Sequence, residues 1–351
     1  MKNFDYIRPE TAAEARDAAA RPGARLLAGG TTLVDLARAG AETPDLVVDI
    51  SRLAAAEPRL GAIEALEGEG GSGGETLRLG ALVTMARAEA DPTLRLAAPA
   101  VAQSLALAAS PQIRNMATLG GNLLQRTRCP YFRDPAAFPS CNKRAPGSGC
   151  SALGGPWKGR AALGATASCV AAYPGDLAAA LVAFDAVVEI AGPEGVRDLP
   201  VAGLFLTPLD AGSAARDTGL APGEMIEGIR LPASAAAARS TYLKIRDRAS
   251  YEFATVGVAA GLDLGPDGTV RDARIALTGV APVPLRARAA EAALLGAPLT
   301  EEAAARAGRL AFAPDPAGPD SDAPDPGAAR FKLTLGPRVV ARALLTLGGL
   351  A

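Results

Sequence analysis

The chain carries four cysteines, Cys129, Cys141, Cys150 and Cys169, all within 41 positions and spaced C-x11-C-x8-C-x18-C. They belong to a longer stretch, Pro111 to Asp176, where scarce polar residues also gather: asparagine occurs only at Asn3, Asn115, Asn122 and Asn142, and glutamine only at Gln103, Gln112 and Gln125. Elsewhere Ala, Gly, Leu, Arg and Pro dominate. Such a bias marks this stretch as the place where chemistry fixes the side chain. Zinc fingers and ribbons use paired C-x2-4-C knuckles, which this spacing lacks. Loop thiols at loose spacing suit an iron-sulfur cluster, whose size tolerates longer connections. Zinc and buried free thiols remain the alternatives on spacing alone. Five cations, Arg126, Arg128, Arg133, Lys143 and Arg144, surround the cysteines against only Asp134, and this excess would partly balance a thiolate-ligated cluster.

With 351 residues the chain has room for two or three domains, since a single core rarely grows beyond roughly 250 residues. An apolar fraction of 49% with 21% charged fits a globular protein, and a net charge of -1 gives no field favouring nucleic acid or an anionic membrane. The N-terminus MKNFDYIRPETAAEARDAA has no apolar signal region, and no run approaches the roughly 20 apolar residues that span a bilayer. A cytoplasmic location without membrane insertion is expected, with co-export alongside a signal-bearing partner as the route to the periplasm. A reducing compartment disfavours structural disulfides. Histidine is absent, which excludes Ser-His-Asp and Cys-His catalysis, His-ligated metals and a histidyl-linked cofactor.

A helix is expected from Thr11 to Ala20, with Thr11 and Glu14 as a capping box. Next come a strand over Arg25–Ala28, a turn at Gly29-Gly30, and a helix from Thr31 to a C-cap at Gly40. Strand, glycine turn and helix start make an anion site or an ordinary tight turn. The segment is neither a Walker loop nor GxGxxG. Leu46–Ile50 and Thr76–Leu82 read as strands around a glycine-rich hairpin, Gly68–Gly74. Thr84 to Ser104 reads as helix broken near Asp91-Pro92. Asp176 is placed as the N-cap of a helix, Leu177–Phe184. A strand over Ala186–Ile190, a hairpin at Gly192–Gly195 and a strand over Ile226–Leu231 follow, before a small-residue linker, Pro232–Ala238. Strands Thr255–Leu264 and Val270–Leu277, helices near Arg286–Leu295 and Thr300–Phe312, an irregular connector Ala313–Ala329 and a closing helix Pro337–Leu347 complete the reading.

LLAGGTTL (Leu26 to Leu33), ATLGGNL (Ala117 to Leu123) and PGDL (Pro174 to Leu177) together resemble the FAD-binding medium subunits of the molybdenum hydroxylases. RTRCPYFRD, CNKRAPGSGCSAL and YLKIRDRASYEFA are similar to the iron-sulfur-containing subgroup in bacterial, periplasmic-type aldehyde oxidoreductases. The resemblance spans essentially the whole chain. It implies an α+β protein: a vanillyl-alcohol-oxidase-type (PCMH) FAD-binding fold of two subdomains over residues 1–235, with an iron-sulfur insertion at about 126–169. A domain like that of the carbon monoxide dehydrogenase flavoprotein would follow over 236–351.

By motif, the resemblance implies an FAD site of Leu27, Ala28, Gly29, Gly30, Thr31, Thr32 and Leu33 on one wall. Ala117, Thr118, Gly120, Gly121, Asn122 and Leu124 would form the second wall, joined by Ile226. Asp176 would bond the adenosine part, and Lys244, with Arg248, would stabilise reduced flavin. Cys129, Cys141, Cys150 and Cys169 would ligate a [4Fe-4S] cluster, Cys169 lying outside the CNKR…GSGC segment. No catalytic acid or base is implied. The expected role is electron transfer in a heterotrimer: from a molybdenum-cofactor large subunit through a [2Fe-2S] small subunit to non-covalent FAD here, then to an external acceptor. A stand-alone flavin oxidase and a zinc-binding scaffold are the rival readings.

Overall fold

The computed structural model describes residues 1–66, 76–313 and 324–350. The expected glycine hairpin and most of the proline-rich connector lie outside them. Helix Ala12–Ala19 starts at Thr11, whose Oγ1 accepts from the Glu14 amide at 3.2 Å. The Glu14 carboxylate accepts from the Glu10 amide rather than that of Thr11, so only half of the expected capping box forms. Strands β1 (Asp5–Ile7), β2 (Ala24–Leu27) and β3 (Leu46–Asp49) make a parallel sheet in the order β1-β3-β2. β3, the central strand, is buried at every residue. Parallel strands need crossovers, and helix Ala12–Ala19 and helix Leu33–Ala39 supply them.

Strands β4 (Ile63–Leu66), β5 (Thr76–Gly80), β6 (Val187–Gly192), β7 (Gly195–Pro200) and β8 (Met225–Pro232) form an antiparallel sheet ordered β4-β5-β8-β6-β7. The expected 192–195 hairpin closes β6 onto β7, with Gly195 at φ +109°. Between β5 and β6 the chain breaks into short helices. Pro92 and Pro99 each open a new one, because proline has no amide to continue the preceding ladder. Helix Asp176–Ala183 is buried at all eight positions, as expected for a helix apolar all round. Gly175 is its N-cap and Asp176 its first residue, which corrects the capping role given to Asp176.

The last sheet contains β9 (Ser240–Ile245), β10 (Val256–Leu264), β11 (Val270–Thr278) and β12 (Leu285–Arg286), antiparallel and ordered β12-β11-β10-β9. Helices Glu301–Ala311 and Lys332–Gly348 cover one face. The latter begins before the expected Pro337 and carries that proline inside it. The supposed linker contains a helix, Ala235–Ala238, with Ala236 and Ala237 buried. Tyr242, Ala259 and Ala276 of this third sheet join the core of the five-stranded sheet.

Candidate cofactor sites

Strand β2 ends at Leu27 and helix Leu33–Ala39 starts six residues later, so Ala28 to Thr32 form a loop at the carboxyl end of a parallel strand. Gly30 has φ +70°, a left-handed conformation open to glycine at little cost. Thr32, the helix N-cap, makes no side-chain capping bond. Among the described residues no acceptor is in place for the amides of Gly29, Gly30, Thr31 and Thr32. Four free amides at a helix start attract an anion, through hydrogen bonds and the helix dipole together.

The second glycine motif meets the first backbone to backbone. A Cβ on Gly29 would stand 1.9 Å from the Met116 carbonyl oxygen, so only glycine permits this approach. Thr118 caps helix Leu119–Leu123 by accepting from the Gly121 amide, and the Gly120 amide donates to Ala81 O at 2.9 Å. The two glycine amides of this wall are thus satisfied internally.

Both walls border one cleft of about 850 Å³. Leu27, Ala28, Gly29, Gly30, Thr31, Thr32, Leu33, Thr118, Gly120, Gly121, Leu124 and Ile226 line it. Ala117 and Asn122 stand behind the wall: the Ala117 carbonyl accepts from the Met85 amide, and the Asn122 side-chain oxygen is buried without a partner. The far side comes from Arg216 to Met225, with Glu42 and Arg126. Sequence reasoning missed that side. Its one local signal was the Pro222-Gly223 turn, where Gly223 has φ +80°.

Asp176 and Lys244 lie apart from the cleft lining. Lys244 Nζ donates to Asp176 Oδ2 at 2.8 Å and to Leu107 O at 3.1 Å, and Tyr242 Oη donates to Asp176 Oδ1 at 2.5 Å. Burial raises the Asp176 carboxyl pKa, against the opposing pull of Lys244, and it raises that of the Tyr242 phenol. Arg248 is exposed and donates to Tyr251 O.

The four cysteines line a second, small pocket with Phe132, Asn142, Lys143 and Ala171. Cys141 and Cys150 face each other across an antiparallel bridge, and Thr166 and Cys169 form another. All four are free thiols, and only Cys150 is not buried. Burial pushes the Cys129 thiol up to about 12 and raises that of Cys169. Among the described residues no three Cys, Asp or Glu side chains are arranged to hold a single metal ion. Four thiols in one pocket without carboxylates are soft donors, of the chemical kind that ligates zinc or iron-sulfur clusters.

Comparison with known proteins identifies the architecture. Residues 2–234 match the family described as the FAD binding domain in molybdopterin dehydrogenase, and residues 241–347 match the CO dehydrogenase flavoprotein C-terminal domain. The chain belongs to the FAD-binding subunits of the xanthine dehydrogenase and CO dehydrogenase family. It is 43% identical over 296 residues to the aldehyde oxidoreductase FAD-binding subunit PaoB of Escherichia coli, covering 84% of this chain and 86% of that one. It is 28% identical over 312 residues to the carbon monoxide dehydrogenase medium chain of Hydrogenophaga pseudoflava, covering 88% and 86%. The solved carbon monoxide dehydrogenase of that organism superposes with a TM-score of 0.71 at 27% identity, over 99% of this chain and 98% of the other. This FAD-binding subunit is an oxidoreductase component of the molybdenum hydroxylase family, aldehyde oxidoreductase-like in sequence. Among its described residues no helix is long and apolar enough to cross a membrane.

Proposed function

We propose that the chain is the electron-transfer subunit of a molybdenum-dependent aldehyde oxidoreductase, carrying non-covalent FAD in the cleft and a [4Fe-4S] cluster on Cys129, Cys141, Cys150 and Cys169. The observation that carries this reading is the convergence of two glycine motifs on one cleft while four thiols share a separate pocket in the same chain. The likeness to PaoB supports the aldehyde class. Partners would be a molybdenum-cofactor large subunit and a [2Fe-2S] small subunit, with an external electron acceptor. FAD binding falls to residues 1–235 and the carbon monoxide dehydrogenase-like domain to 236–351.

Bound flavin and cluster supply the redox chemistry, and the protein supplies position and environment. The Gly29 to Thr32 amides would hold the FAD pyrophosphate through backbone donors. Leu27, Leu33, Leu124 and Ile226 give the cleft apolar lining. The Asp176–Lys244 pair braces the third sheet against the Leu107 carbonyl just before the second motif.

Absorption spectra of anaerobically purified protein, with iron and sulfide analysis, test the proposal. Flavin bands near 370 and 450 nm with a shoulder near 400 nm, and about four irons per chain, are expected. Flavin without iron, even after reconstitution, removes the cluster. Zinc without either chromophore moves the chain to a scaffold role.

A further inference from the structure

Four charged side chains join the two cavities. Arg126 Nε donates to Asp217 Oδ2 at 2.6 Å, and Arg126 also pairs with Glu42. Lys143 pairs with the other oxygen of Asp217 and donates to Ala214 O at 3.4 Å. Glu42, Arg126 and Asp217 line the large cleft, whereas Lys143 lines the cysteine pocket. The Arg126 guanidinium also lies 4.8 Å from the ring centre of Phe132, another pocket residue. Two cations face two carboxylates, so the charges cancel and the set is no anion site of its own. All four side chains are at least four-fifths shielded, with exposures of 18% for Arg126, 20% for Asp217, 10% for Glu42 and 9% for Lys143. Shielded ion pairs of this kind have a strongly preferred geometry.

The partners come from separate parts of the chain. Arg126 and Lys143 belong to the cysteine segment. Glu42 follows helix Leu33–Ala39, and Asp217 follows helix Ala211–Ala215. Anything that fixes the cysteine segment therefore fixes one wall of the cleft. We infer that the Lys143–Asp217–Arg126–Glu42 set couples the two sites: filling the thiol pocket pre-organises the cleft and tightens flavin binding. The inference rests on the two-cofactor reading above. Lys143 and Asp217 act here as positioning residues, and by linkage flavin must tighten metal retention by the same factor.

FAD is titrated, by quenching of its fluorescence, onto chelator-treated protein and onto protein reconstituted with ferrous iron and sulfide. The reconstituted form is expected to bind about fivefold tighter or more. In Lys143→Gln and in Asp217→Asn that ratio should fall to about one, while Lys143→Arg, which keeps the charge, retains most of it. Thermal melts of each variant establish that it is folded. Equal affinity in the two wild-type forms overturns the coupling while leaving the functional reading intact. A ratio unchanged in both charge-removing variants overturns the role of these residues. Failure of both wild-type forms to bind flavin sinks the functional reading and the coupling together.

Discussion

Lys244 Nζ lies 2.8 Å from Asp176 Oδ2, and the two side chains are only 1% and 3% exposed. One residue starts a helix that packs against β10 and β11 and the other is in β9 of the same sheet, so the bond ties a helix of the FAD-binding segment to the sheet of the C-terminal one. Breaking such a pair leaves a charge without compensation in a dry interior. Lys244→Met is expected to cost about 3–5 kcal/mol in urea unfolding. The double variant with Asp176→Asn should lose much less than the sum of the single losses. Strict additivity would show that the two groups do not act as a pair.

Gly29→Ala tests the meeting of the two glycine motifs. The added methyl would stand 1.9 Å from the Met116 carbonyl oxygen, and backbone on both sides must move. A stability loss of about 1–3 kcal/mol is expected, with most of the flavin lost on gel filtration. Full flavin retention would show that the anion loop does not depend on this contact.

Arg78 is 1% exposed in the middle of the five-stranded sheet, and its Nη2 lies 2.7 Å from Glu189 Oε2. Its Nη1 also donates to Arg59 O at 2.8 Å. Arg78→Leu removes the closest partner of Glu189 and should lower stability by about 3 kcal/mol. Arg78→Leu with Glu189→Leu should recover a large part of the loss. Calorimetric melting of the three proteins decides it.

Lys332, 1% exposed, donates to the carbonyls of Arg160 at 2.8 Å and Gly279 at 2.7 Å, and among the described residues no carboxylate pairs with it. Burial lowers its pKa to about 8. The unfolded chain holds this proton more tightly, so charging Lys332 in the folded state costs stability. Its contribution is present above the unfolded value of 10.5 and is lost as pH falls through about 8. Wild type should therefore gain on Lys332→Met by about 2–3 kcal/mol between pH 8 and pH 10.5. Parallel urea titrations at those two pH values check this, and a constant difference would contradict it.

Much of the fold was legible because its signals are local. Thr11 before AAEARDAA, Gly40 after the second helix, and the Gly192–Gly195 turn each mark an element boundary through their own backbone chemistry. β9 escaped because STYLKI runs polar-polar-apolar-apolar-polar-apolar and so lacks the alternation by which a strand is read from sequence. The closing helix was cut short because proline ordinarily stops a helix, whereas this one absorbs Pro337 while packing against the helix Glu301–Ala311.

By itself the sequence determined the glycine turns, the caps, the thiol-bearing segment and the exclusion of histidine chemistry, since each depends on residue type and on neighbours a few positions away. Only the tertiary structure decided which groups meet. Arg126 reaches Asp217 across 91 positions, and Lys244 reaches Asp176 across 68. Pairings at such separations have no local signature: the chain supplies many arginines and aspartates, and the packing of three sheets and their helices selects which of them are buried face to face.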